Sequence, residues 1–202
     1  MTTSGLRDEL TQPVEQAAVA LLGCAVVAGP VRVRITEVEA YDGETDPASH
    51  AWRGPTDRNR TMFGPAGHAY VYLSYGMHHC LNVVAGHEGH GCGVLLRAGE
   101  VVAGHDVVGR VRPEVPPQRW ARGPGLLTRC LGVDRSFDGT DLLAGTGPLR
   151  LERHDTPDPE MILAGPRVGV GREQERPWRF FLAGDPTVSS YRRQTPRRRT
   201  SS

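Results

Sequence analysis

The stretch that decides the fold is Ala69–Arg97, which reads AYVYLSYGMHHCLNVVAGHEGHGCGVLLR. Its first seven residues are aromatic or apolar apart from one serine, a composition that suits a strand. Tyr70 and Tyr72 fall on one face of that strand, with Val71, Leu73 and Tyr75 on the other. Gly76 then supplies a turn and leaves Tyr75 at or near a hairpin tip. His79–Val84 returns as a second strand, Ala85–Gly91 is a turn, and Cys92–Arg97 is a third strand. The three form an antiparallel meander. Three tyrosines so close together serve equally well in packing or in a binding surface. A tyrosine beside a tip glycine is different, because a core residue rarely sits there.

Working back from the meander, Asp42–Gly67 is a long polar connection rich in Gly, Pro, Asp and Arg. Loops of this length inside a compact domain are uncommon and often functional. It carries His50, Trp52 and Arg58-Asn59-Arg60, with Met62 and Phe63 tying it to the core. Before it, Ala25–Ala28 and Val31–Glu39 read as a hairpin across Gly29-Pro30. Strict alternation puts Val31, Val33, Ile35, Glu37, Glu39 and Tyr41 on one face. An inward apolar face that ends in two carboxylates is unusual, because burying a charge costs several kcal/mol unless it is compensated. Either the strand emerges into solvent at Glu37, or the acids pair with arginines, or they serve chemistry. Val14, Ala17, Ala18, Leu21 and Leu22 recur at helical spacing, which predicts a helix over about Pro13–Leu22. Residues 1–10 read as a polar, frayed end.

Beyond the meander, Glu100–Arg112 is a weak helix candidate and Val111–Trp120 a proline-rich loop. Arg122-Gly-Pro-Gly125 leads into a helix marked by Leu126, Leu127, Cys130 and Leu131. A helix opening on glycines beside Arg119 and Arg122 is a plain junction or a phosphate-binding end. Gly147–Arg153, Gly165–Gly171 and Trp178–Ala183 read as strands. From Ser189 the chain turns to arginine with almost no apolar content, the composition of a disordered tail.

At 202 residues the chain suits one well-cored domain. No apolar run approaches the ~20 residues of a membrane helix, and the N-terminus lacks a secretory pattern, so a cytoplasmic protein without a membrane partner is expected. The four cysteines form no Cys-x-x-Cys pair and read as reduced thiols. His78-His79-Cys80 and His87–Cys92 match no zinc spacing, so no metal is expected. All 24 basic side chains other than histidine are arginine, so no side chain can form a lysine Schiff base, although the terminal amine still could.

The chain resembles the alkyladenine (3-methyladenine) DNA glycosylase family. The matching pieces are TEVEAYDG (Thr36–Gly43), RNRTMF (Arg58–Phe63), YVYLSYGM (Tyr70–Met77) with Asn82, and VLLRA (Val94–Ala98). RGPG (Arg122–Gly125), SFD (Ser136–Asp138), PRVGVG (Pro166–Gly171) and Trp178–Phe181 follow in the family's order. The resemblance implies that Glu39 is the general base for water and that Arg97 helps position that water. It implies that Tyr41, His50, Tyr72 and Asn82 line the base pocket and that Tyr75 intercalates where the nucleotude was flipped out. The implied activity is that of a monofunctional DNA glycosylase. It would excise 3-methyladenine, 7-methylguanine, hypoxanthine and ethenoadenine from double-stranded DNA and leave an abasic site. No cofactor is implied.

Residues and resemblance together lead to an α+β fold: a single domain with a curved, mostly antiparallel β-sheet and surrounding α-helices. Residues 11–190 form the glycosylase domain and 191–202 the arginine-rich tail. A monomer is expected, associated with the nucleoid if the source is bacterial. Two other readings stay open: a non-catalytic module that binds damaged DNA, and a metal- or carboxylate-dependent hydrolase of another substrate.

Overall fold

The computed structural model describes residues 3–192 of the chain. In order, the elements are α1 (Thr3–Leu10), α2 (Val14–Leu21), β1 (Ala25–Ala28), β2 (Val31–Asp42), β3 (Ala69–Ser74), β4 (His78–Ala85), β5 (Cys92–Ala103), α3 (His105–Val111), β6 (Ala121–Arg122), α4 (Pro124–Leu131), β7 (Leu149–Glu152), β8 (Ile162–Gly165) and β9 (Arg179–Leu182). The architecture is α+β, a single domain built on one antiparallel sheet. Its main path runs β3-β4-β5-β2-β1-β7, with β6 added to β5 and the β8–β9 pair added to β2. No helix among the described residues is long and apolar enough to cross a membrane.

The two faces of this sheet have different fates. Ala69 and Val71 of β3, Leu81 and Val83 of β4, and Val94 and Leu96 of β5 point to one face. There they pack with Ala17, Ala18 and Leu21 of α2 and Leu127 and Leu131 of α4. Burying each valine or leucine among them contributes about 1.5–3 kcal/mol, which makes this layer the main source of stability. The alternate residues face the other way. There the loop between β2 and β3 folds over Tyr70 and Val84 through Ala51, Met62 and Phe63.

β2 does not keep strict alternation. Val31, Val33 and Ile35 lie in the core, but so do Val38 and Ala40. The register against β5 shifts between Ile35 and Glu37 and again between Glu37 and Val38. These irregularities insert one extra residue in each strand, Thr36 in β2 and Arg97 in β5, so both strands exchange faces at the same level. The single apolar face expected to run on into Glu37, Glu39 and Tyr41 is therefore two half-faces. Glu39 and Tyr41 stand on the side opposite the core. Gly99 sits at this break, where a Cβ would lie 2.4 Å from the Arg34 carbonyl oxygen, so the strands can approach there only without a side chain.

Three further expectations are corrected. The polar N-terminus is not frayed: Leu6 and Leu10 of α1, one helical turn apart, are both in the core, so the packed chain begins before residue 11. The helix expected from Glu100 starts only at His105, because β5 continues to Ala103. Gly165–Gly171 is not a strand; the strand is Ile162–Gly165, and the following residues form an irregular loop. The arginine-rich segment, from residue 193 onward, lies outside the described residues.

Candidate active site

The face-switch in β2 and β5 places Glu39 and Arg97 side by side on the loop-covered face. Glu39 is fully buried. Tyr41 Oη donates to its Oε2 at 2.8 Å, and the Val168 N–H donates to its Oε1 at 2.6 Å. Arg97 Nη1 lies 3.3 Å from Oε2. The carboxylate thus accepts two hydrogen bonds and faces one guanidinium, and its direction is fixed by three different chain segments. Burial pushes the Tyr41 hydroxyl well up, and the adjacent Glu39 carboxylate adds to this, so Tyr41 serves as a donor.

Arg97 is held in turn by the second carboxylate. Glu37 Oε1 accepts from Arg97 Nε at 3.0 Å and from Arg179 Nε at 2.6 Å. Ser189 closes the cluster from the C-terminal segment, its N–H to Glu37 Oε2 at 2.6 Å and its hydroxyl to Oε1 at 2.9 Å. Burial alone would raise the Glu37 pKa. The charge on Arg97, with Arg179 and the Ser189 N–H, outweighs that and leaves it lowered. Glu37 and Glu39 therefore differ: Glu37 is enclosed by cations, whereas Glu39 lines a cavity.

That cavity has a volume of about 670 Å³, within the range of small-molecule sites. Tyr41, His50, Tyr72, Asn82 and Arg97 all line it beside Glu39, and Tyr75 stands on its rim. Every site residue expected from the sequence is brought to one place. The His50 and Tyr72 rings meet edge-on with centroids 4.5 Å apart, and Tyr72 stacks on Tyr70 at 5.6 Å. His50 Nδ1 lies 3.2 Å from the Tyr70 hydroxyl. Burial, helped by the charge on Arg58, lowers the His50 pKa, so its imidazole is neutral at pH 7. Burial pushes the Tyr70 hydroxyl up to about 12. Asn82 Nδ2 donates to the Tyr70 carbonyl at 3.0 Å, across the β3–β4 ladder.

The hairpin tip is built to expose its tyrosine. Tyr75 and Gly76 both have positive φ, 49° and 69°, and the Met77 N–H closes the turn on the Ser74 carbonyl at 3.0 Å. This is the turn type that matches strand twist. Glycine takes such a conformation freely, whereas a side chain there costs about 1–2 kcal/mol. Tyr75 is nonetheless 87% exposed, with Met77 beside it at 70%. A strained, solvent-facing aromatic side chain does nothing for the fold of this hairpin.

Sequence reasoning did not assign the supports of the site. Arg167 and Asp46 form a fully buried ion pair, and Arg167 also donates to the Ala40 carbonyl at 2.9 Å. Its guanidinium lies 4.6 Å from the centre of the Tyr41 ring, which presses that ring into place. Asn59 pins the covering loop, donating to the carbonyls of His50 at 2.9 Å and Gly54 at 3.1 Å. Asp138 accepts from the Val71 N–H at 2.9 Å and so fastens the edge strand β3. PRVGVG, SFD and RNRTMF carried Arg167, Asp138 and Asn59 into the family resemblance, but no periodicity pointed to their roles.

Asp42, at the end of β2, faces Cys92 in register on β5 and meets His90 from the adjoining turn. The Cys92 thiol donates to Asp42 Oδ1 at 2.9 Å, and His90 Nε2 lies 3.1 Å from the same oxygen. Burial, reinforced by Asp42, pushes the thiol well up, so it donates as a thiol and the trio is hydrogen-bonded within itself.

Known proteins bear on this arrangement. A model of the family described as "Methylpurine-DNA glycosylase (MPG)" matches residues 8–186. A protein of Streptomyces avermitilis is 48% identical over 200 residues, covering 96% of this chain and 94% of the relative. One from Frankia casuarinae is 51% identical, covering 95% and 93%, and one from Nocardia farcinica is 50% identical, covering 92% and 91%. All three are named "Putative 3-methyladenine DNA glycosylase".

Proposed function

The chain belongs to the methylpurine-DNA glycosylase family, and on that premise we propose that its aromatic cavity receives a damaged purine flipped out of duplex DNA, with Glu39 as general base. It is a DNA glycosylase, and its substrate is DNA. The observation that carries the catalytic reading is a fully buried carboxylate, held by two hydrogen bonds and an ion pair, in a cavity lined by Tyr41, His50 and Tyr72.

Chemistry on a base requires the nucleotide to leave the stack, at a cost of a few kcal/mol. Tyr75 is large, flat and displayed on a strand pair, so it fills the gap in the duplex and offsets part of that cost. The cavity then takes the purine against its aromatic walls, which suit an electron-poor, alkylated ring. Cleavage of the N-glycosidic bond leaves positive charge on the sugar, as in other glycoside hydrolysis. The Glu39 carboxylate stabilises that charge and accepts a proton from the attacking water. The water oxygen bonds to C1′, the bonding pair leaves with the purine, and the product is an abasic site. Arg97 holds Glu39 and orients the water. No lysine side chain is available to attack in place of water, which favours base release without strand cleavage.

An alkylated purine such as 3-methyladenine or 7-methylguanine is cationic and already a good leaving group. Hypoxanthine and ethenoadenine belong to the same proposed range, with His50 and Asn82 in the cavity wall as the groups that would meet a purine edge. A panel of duplexes, each carrying one of these lesions, tests the range. Base release should be detected, with strand breaks only after alkali. Release of none of them would overturn the reading, and breaks without alkali would overturn the water nucleophile.

A further inference from the structure

A second groove, of about 480 Å³, opens beside the cavity and shares Arg97 and Val168 with it. The first turn of α4 stands between the two, with Pro124 lining the cavity and Gly123 and Leu126 the groove. The groove is also lined by Arg112, Arg119, Arg122 and Arg192, against a single acid, Glu114. Arg122 Nε donates to the Val188 carbonyl at 2.7 Å, and Arg112 donates to the Trp120 carbonyl. Neutral partners fix these side chains but leave their charge. Arg119 and Arg192 are exposed, and none of the four makes an ion pair among the described residues.

Many arginines outside the groove are matched by an acid. Arg7, Arg32, Arg34, Arg150 and Arg153 each sit on a carboxylate. In a chain of net charge only +1, four unmatched guanidiniums around one groove concentrate positive charge there. Guanidinium pairs well with phosphate oxygens, and such contacts position a nucleic-acid backbone without reading its sequence.

We infer that this groove is a phosphodiester-binding track, holding the backbone of the lesion-bearing strand next to the flipped nucleotide. Arg119 and Arg192 contact phosphate, while Arg122 and Arg112 shape the track. The inference rests on the glycosylase reading for the identity of the polyanion, but its test does not.

The test is the salt dependence of affinity for an undamaged duplex, measured for the parent, for Arg119→Gln/Arg192→Gln, and for Arg150→Gln on β7 as a control. Each lost phosphate contact lowers the slope of log K against log salt by about 0.9, so the double variant should lose about 1.8 and the control nothing. The same double substitution in a chain ended after Arg192 separates the groove from the arginines that follow, and the loss should persist there. An unchanged slope in the double variant, or an equal loss in the control, would overturn the inference. Base release from a damaged duplex is measured on the same parent protein. A parent that releases base while its groove variants keep their slope refutes the groove alone. A parent that releases none while the variants lose slope refutes the glycosylase reading alone.

Discussion

Replacing Glu37 by alanine should be among the costly single changes in the site. The carboxylate accepts from Arg97, Arg179 and twice from Ser189, at 2.6–3.0 Å. Its removal leaves two guanidiniums, 7% and 5% exposed, with one counter-charge removed. Removing one partner of a buried ion pair typically costs about 3–5 kcal/mol, a large share of the ~5–15 kcal/mol that holds a domain together. With a urea dependence of about 2 kcal/mol per M, the unfolding midpoint should fall by about 2 M. Base release should fall too, because Arg97 loses the group that aims it at Glu39. The pH dependence separates charge from shape. Because the folded pKa of Glu37 is lowered, its stabilisation is complete above the unfolded carboxylate value of about 4.3 and is lost as pH falls through the folded value. Glu37→Gln keeps the shape and lacks the titration, so the gap between parent and variant should narrow on acidification. Urea titrations at several pH values decide the matter. A midpoint within ~0.3 M of the parent, or a gap independent of pH, would refute the reasoning.

Two further outcomes follow from the walls and rim of the cavity. Tyr75→Gly should raise thermal stability, by up to about 1 kcal/mol through relief of the positive-φ strain, while weakening lesion binding; a variant less stable than the parent would contradict the turn argument. His50 has a lowered pKa when folded, so its neutral form is favoured by folding. Its penalty is absent above the unfolded value of about 6.5 and grows as pH falls from there toward the folded value. His50→Gln should therefore flatten stability against pH just below 6.5, and an unchanged slope in chemical denaturation would count against burial as the cause.

The parts of the fold carried by local pattern were legible in the chain. β3 and β4 fall where the strand pattern puts them, β5 begins where expected, and Gly76 marks the tip that displays Tyr75. The face-switch at Thr36 and Arg97 was not legible, because it is a property of two strands in register and neither strand shows it alone. Strict alternation still grouped Glu37, Glu39 and Tyr41, but on a face continuous with Ile35, which the structure divides. Val168 reaches Glu39 across 129 residues and Ser189 reaches Glu37 across 152, distances at which no spacing rule operates. GPRVGVG has the valines and alternation of a strand, yet its use here is to offer a backbone N–H. The helix at the N-terminus did leave a signal, Leu6 and Leu10 at i and i+4, within an otherwise polar run. The family resemblance distinguished Glu39 from Glu37, and the structure supplies a physical difference between them: cations enclose one, and a cavity opens on the other.

The most direct test of the central claim is single-turnover base release by Glu39→Gln on a duplex with one hypoxanthine, alongside its affinity for the same duplex. Glutamine keeps the size of the side chain but cannot take a proton from water. The account predicts that binding persists while the rate of release falls by about 10²–10⁴-fold, the usual worth of general base catalysis. A variant that binds and releases the base at the parent's rate would contradict it.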